Sequence, residues 1–95
     1  MTLAHFLQSI TDGHEPDEAP LIRALWHDRR GDWDRAHSLA QDVHTADGSR
    51  VHAYLHRREG DLGNAGYWYR RAGVPEVSGP LDEEWTSLVR ELLAR

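Results

Sequence analysis

The chain carries the same corner twice. Gly31-Asp32-Trp33-Asp34-Arg35-Ala36 is echoed by Gly60-Asp61-Leu62-Gly63-Asn64-Ala65, displaced by 60 − 31 = 29 residues. Each reads as a tight turn between two helices. Glycine supplies the left-handed residue past the end of one helix, where a side chain would clash. Aspartate caps the next by accepting from its free backbone N–H groups, and an alanine four residues on lets two helices approach closely. Shifting Leu25–Val43 by 29 lays it on Tyr54–Ala72 with five of nineteen pairs identical: His27/His56, Arg29/Arg58, Gly31/Gly60, Asp32/Asp61 and Ala36/Ala65. Apolar positions also match in kind: Ile22 with Val51, Leu25 with Tyr54, Trp26 with Leu55, Trp33 with Leu62, Ala40 with Tyr69. Helix break, cap, contact residue and apolar face therefore repeat together.

Apolar spacing fills in the remaining elements. Leu3, Phe6, Leu7 and Ile10, with Thr2 as cap, predict a short first helix. Thr11–Pro20 reads as an acidic loop broken by Asp12-Gly13, Pro16 and Pro20. A second helix runs from Asp17 or Pro20 to Arg30, facing inward with Leu21, Ile22, Leu25 and Trp26. The third runs from Asp32 to about Ala46, and the fourth from Ser49 to Glu59 after an Asp47-Gly48 break. The fifth starts at Asp61 and faces inward with Leu62, Ala65, Tyr69 and Ala72. After a linker holding Gly73, Pro75 and Gly79-Pro80, Leu81, Trp85, Leu88, Val89, Leu92 and Leu93 mark the last helix. No stretch alternates as a strand would.

The expectation is one all-α domain over residues 1–95, with repeat 1 about 20–46, repeat 2 about 49–73 and an end helix about 81–94. Two repeats leave apolar faces uncovered. Leu3–Ile10 is expected to cover the first pair and Leu81–Ala94 the second, with a homodimer as the other way to cover an end.

Charge and composition narrow the function. A net charge of −5 argues against a general affinity for nucleic acid, and no apolar run reaches membrane-spanning length. The chain has no cysteine, which removes disulfides and thiolate sites and fits a cytoplasmic protein. Met1–Ile10 has neither the basic cluster nor the apolar core of a secretory signal. All eleven basic residues are Arg.

The turn with its following helix, Gly31-Asp32-Trp33-Asp34-Arg35-Ala36 with Ala40 and Val43, resembles a tetratricopeptide repeat (TPR), as do Gly60-Asp61-Leu62, Ala65, Tyr69 and Ala72. The resemblance covers about Pro20 to Ala72, with a spacing of 29 against about 34 in the family. It implies an α-solenoid and a protein- or peptide-binding role. The family's Lys and Asn clamp for a C-terminal carboxylate has no counterpart here, because there is no Lys and the one Asn is Asn64. His52–Arg71 is also similar to small bacterial proteins of no assigned function.

On this reading the chain is an interaction module for a protein, a peptide or a second copy of itself, with no cofactor. Its expected binding surface is aromatic and Arg-rich: Tyr54, Arg57, Arg58, Tyr67, Trp68, Arg70 and Arg71. Trp68 can equally pack in the core against the last helix, and the Arg can pair with Asp28, Glu59 and Asp61. The alternative is a small His-based metal-dependent enzyme or metal-binding protein. His52 and His56 are four apart on one helix, Glu59 lies three beyond, and His27 is the repeat counterpart of His56. That spacing can hold a metal, although Ala53 stands where zinc proteases place a Glu. The same His can instead fill helix contacts and donate hydrogen bonds. A third reading is a structural subunit with no ligand of its own.

Overall fold

The computed structural model describes residues 1–95. Six helices follow one another without a strand: α1 Leu3–Asp12, α2 Pro20–Arg29, α3 Trp33–Gln41, α4 Ala46–Arg58, α5 Leu62–Ala72 and α6 Leu81–Leu93. Both corners form as the sequence implies. Gly31 and Gly60 adopt φ of 87° and 85°, a region that a Cβ makes costly. Asp32 accepts from Arg35 N at 3.0 Å, and Asp61 from Asn64 N at 3.2 Å. The corners join α2 to α3 and α4 to α5 as two helical hairpins, and these are the most extensive helix pairs in the molecule.

The hairpins stack on each other through α3 against α4 and α2 against α4. The end helix α6 lies on α2 and α4 together, one helix from each hairpin, so it covers both pairs rather than the second alone. Trp85 anchors it: its side chain is 1% exposed, its Nε1 donates to the Leu25 carbonyl at 3.0 Å, and the Arg29 guanidinium lies 4.0 Å from its ring. α1 reaches α6 through Phe6, 5.9 Å from Trp85 between ring centroids, and reaches α2 through the Trp26 to Ser9 bond. One core of Phe6, Leu25, Val51, Tyr54, Leu55 and Val89 with their neighbours holds α1 to α4 and α6. A smaller cluster of Ala53, Ala65 and Tyr69 holds α5 to α4. The radius of gyration, 12.3 Å, matches the roughly 12.4 Å of a compact domain of this length. No helix is long and apolar enough to cross a membrane.

Three local expectations change. α3 ends at Gln41 and α4 begins at Ala46, so Asp47 and Gly48 lie in the first turn of α4 rather than in a break. Thr45 makes this possible by accepting from Gly48 N at 3.0 Å. Glycine is required there, because a Cβ would lie 1.9 Å from the Val43 carbonyl oxygen. Leu62 does not face inward: it is 68% exposed. Its counterpart Trp33 is covered by α4, but no third hairpin follows to cover Leu62.

Candidate metal centre

Three histidines meet at the seam between the hairpins. The second helix of the first hairpin, α3, presents Trp33 and His37 four residues apart, and the adjoining α4 presents His52 and His56 at the same spacing. Residues four apart share a helix face, so two such pairs on packed helices interleave. His37 Nε2 and His52 Nε2 are 2.8 Å apart. The His52 and His56 rings stack at 4.8 Å between centroids, and His37 stands edge-on to both at 4.6 and 5.2 Å. One ring nitrogen from each of the three lies within 4.8 Å of the others.

Two tryptophans close the cluster. Trp68 from α5 stacks on His52 at 3.9 Å, and Trp33 stacks on His37 at 4.8 Å. His52 and His56 are buried and His37 is half-buried. Trp33 is held in turn by its Nε1, which donates to the Leu55 carbonyl at 2.7 Å.

Burial sets the charge state. Loss of water around His52 pulls its pKa down from 6.5 to about 4, helped by the neighbouring His37 and His56. His37 is lowered for the same reason, burial first and His56 second. Two of the three rings are therefore neutral near pH 7, with a nitrogen lone pair to offer. The third is oriented from behind: His56 Nδ1 lies 2.7 Å from Glu59 Oε1. A carboxylate in that position accepts the Nδ1 proton and fixes the tautomer that leaves Nε2 as ligand. Asp61, the cap of α5, adjoins the same pair.

The three rings offer the donor set a zinc-class ion takes. Zn–N distances of about 2.0–2.1 Å in tetrahedral geometry put ligand nitrogens about 3.3 Å apart. The 2.8 Å His37–His52 contact would have to open by about half an ångström, and any of the other pairs, which lie within 4.8 Å, that exceeds that spacing would have to close, through rotation of the rings. Without an ion the same contact is an N–H···N hydrogen bond, and no buried side-chain nitrogen or oxygen is left unpaired anywhere in the protein.

The sequence-derived residues divide sharply. His52, His56 and Glu59 come together as expected, but His27 does not join them. It turns to Glu15, with Nε2 2.9 Å from a carboxylate oxygen, while Arg23 holds the other oxygen at 2.6 Å. His37 takes the third place. Repeat logic passes over it because its counterpart is Gly66. Its signal was the shared four-residue spacing of Trp33-His37 and His52-His56 on helices that adjoin in any stacked pair of hairpins.

Much of the expected aromatic and Arg surface is structural. Tyr54 is 1% exposed and donates to Asp28 at 2.7 Å, deep in the core. Arg57 is paired with buried Glu84 at 2.8 Å and also donates to the Gly79 carbonyl. Arg58 faces Asp28 at 3.5 Å. Trp68 is half-buried and packs on α4 through His52, rather than in the core against the last helix. Tyr67, Arg70 and Arg71 are exposed on α5, and an Arg71 guanidinium nitrogen donates to the Tyr67 hydroxyl at 3.2 Å. No family model, curated protein or solved structure matches this chain, so its function rests on the chemistry of these residues.

Proposed function

We propose that the protein binds a divalent transition-metal ion, zinc foremost, through His37, His52 and His56. The observation that carries this reading is the convergence of three imidazoles within 4.8 Å at a buried seam, with Glu59 behind one of them. Three nitrogen ligands leave one coordination position for water or substrate, the ligand count of catalytic rather than structural zinc. A zinc ion held by these three residues would supply water activation, lowering the pKa of a bound water towards neutrality. His52 and His37 offer neutral nitrogens at pH 7, so binding expels little bound proton.

The test is thermal unfolding and calorimetry of chelator-treated protein titrated with zinc. One equivalent should bind and raise the melting temperature. His37→Ala and His52→Ala should abolish the effect, and His27→Ala should leave it intact. Zinc binding that survives His37→Ala, or no binding by the parent chain, defeats the proposal.

A second reading is favoured by the outer face of α5, where Leu62 and Tyr67 are 68% and 44% exposed beside a half-free Arg70. On a TPR-like stack this face is where a protein or peptide partner, or a second copy, would bury apolar surface. Affinity capture with a Tyr67→Ala, Arg70→Ala double variant as control tests it. That variant leaves the three histidines untouched, so the two readings separate cleanly.

A further inference from the structure

Beside the histidine cluster lies a cavity of about 420 Å³, bounded by the end of α3, the first turn of α4 and the inner side of α5. Its size falls in the range of small-molecule sites. In a chain with 16 acidic residues and a net charge of −5, no Asp or Glu side chain lines it. Its charged lining residue is Arg71, and His52 forms part of the same wall.

Several independent features give this cavity an anion's chemistry. Arg71 has no carboxylate within salt-bridge distance, unlike Arg57 and Arg58 on the neighbouring helix. Its guanidinium rests 5.4 Å from the Trp68 ring and 5.9 Å from the Tyr67 ring, contacts that position the group without neutralising it. The backbone N–H groups of Ala46 and Asp47, at the start of α4, take no partner from the protein, while Gly48 N is held by the Thr45 cap. Such a helix start favours negative charge. The Asp47 carboxylate does not fill that role, since Arg50 and Arg95 hold it at 3.4 and 2.8 Å.

The decisive feature is His52. Its side chain is more than nine-tenths buried, it lines the cavity, and its only hydrogen bond is made by Nε2. Nδ1 has no protein partner, yet no buried side-chain atom is without one, so Nδ1 is open to solvent on a ring that lines the cavity. The histidine that belongs to the metal cluster thus also faces the space that Arg71 charges. Trp68 adds a flat wall shared by both.

We infer that this cavity, joined to the metal cluster through the His52 ring, takes a small oxyanion, a carboxylate or phosphate, bound by Arg71 and the start of α4. The inference rests on the metal reading for its purpose, but the anion site can be measured with the metal absent. Inorganic phosphate and benzoate, as the two oxyanion sources, are titrated separately into chelator-treated and zinc-loaded protein at low ionic strength. Calorimetry gives affinity, and amide shifts of Ala46, Asp47 and Gly48 give location.

At least one probe should bind at 1:1 to metal-free protein and move those amides. Arg71→Ala should weaken it tenfold or more, and Arg71→Lys, which keeps the charge, should retain part of it. Arg71→Met guards against a packing artefact: it keeps the stem over Trp68 and should lose binding as Arg71→Ala does. Arg35→Ala, at an arginine remote from the cavity lining, should change nothing. Zinc should tighten binding several-fold in the parent chain but not in His37→Ala. Failure of both probes to bind, or binding indifferent to Arg71, overturns the anion site. Zinc and anion that bind without affecting each other overturn the coupling of the two through His52. Absence of zinc binding defeats the metal reading and leaves the anion arm to be decided by the Arg71 variants.

Discussion

The two hairpins have nearly the same corner and quite different surroundings. Gly31 and Gly60 differ by 2° in φ, and Asp32 and Asp61 cap in the same way. Yet Trp33 is half-buried with its indole N–H satisfied, while Leu62, the matching residue, is 68% exposed. His37 enters the cluster, while its counterpart Gly66 lies against the linker, where an added Cβ would come 2.3 Å from a Glu76 carboxylate oxygen. His56 faces the seam, while its counterpart His27 faces Glu15. Local sequence sets the hairpin, but what a repeated position meets depends on which neighbour stacks there. Two hairpins make one seam, and the three histidines lie in it. The remaining free face, on α5, has no such neighbour.

The sharpest test of that difference is Trp33→Ala. Truncating a buried Trp typically costs about 3–5 kcal/mol. Trp33 is half-buried but also orders His37 and bonds α4, so the lower end, about 3 kcal/mol, is expected in chemical denaturation. A loss below about 1 kcal/mol would mean that the seam does not depend on it.

Acid should expose the same asymmetry. The folded pKa of His52 lies at about 4, below its ordinary 6.5. Between these values the unfolded chain takes up a proton that the folded one refuses, so stability is full above pH 6.5 and falls as the pH drops towards 4. A displacement of this size corresponds to on the order of 3 kcal/mol. Asp28 works in the opposite sense, since burial raises its pKa and stability falls as it ionises with rising pH. Comparing the parent chain with His52→Phe tests the histidine: the variant should have a shallower slope between pH 6.5 and 4, keeping the part due to His37, whose pKa burial also lowers. Parallel profiles would show that His52 is not held neutral by the fold.

Most of the fold was legible because it is written in local signals. Apolar spacing, two Gly-Asp corners and the pattern of Leu81–Leu93 identify six helices and an all-α chain. The start of α4 was harder to see. Asp47-Gly48 looks like a break until Thr45 is recognised as the cap and Gly48 as a residue that must lack a side chain. The candidate site was half legible. His52, His56 and Glu59 share one helix, so spacing alone unites them. His37 reaches them across two helices, and His27 leaves for a loop carboxylate. Both placements depend on tertiary packing that a period of 29 does not encode. The role expected of Tyr54 failed for a related reason, since its hydroxyl serves buried Asp28 and the surface is never within its reach.

The corners provide a test in which the hairpins should agree. Gly31→Ala and Gly60→Ala each force a Cβ into a left-handed residue, at a cost of roughly 1–2 kcal/mol. Neither position has an atom within 4 Å of the added carbon, so the cost is conformational and should match between them to within about 0.5 kcal/mol. Unequal costs would mean that stacking reaches into the turns, and the equivalence of the two corners would fail.

The smallest effect is expected at Leu62, and its smallness is the point. Surface substitutions away from caps and buried groups usually change stability by no more than about 0.5 kcal/mol. Leu62→Ser, at an apolar residue uncovered by any helix, should stay within that limit when unfolding is followed at low protein concentration. Trp33→Ala at the matching position should cost several times more, although both residues follow the same Gly-Asp pair. Repeating the Leu62→Ser measurement at high concentration, with sedimentation in parallel, extends the comparison. If the α5 face stays open in solution, the substitution remains neutral and the sedimenting mass does not depend on it. A penalty that grows with concentration would mean that a second copy supplies at Leu62 what α4 supplies at Trp33, and the contrast between the hairpins would then belong to the monomer alone.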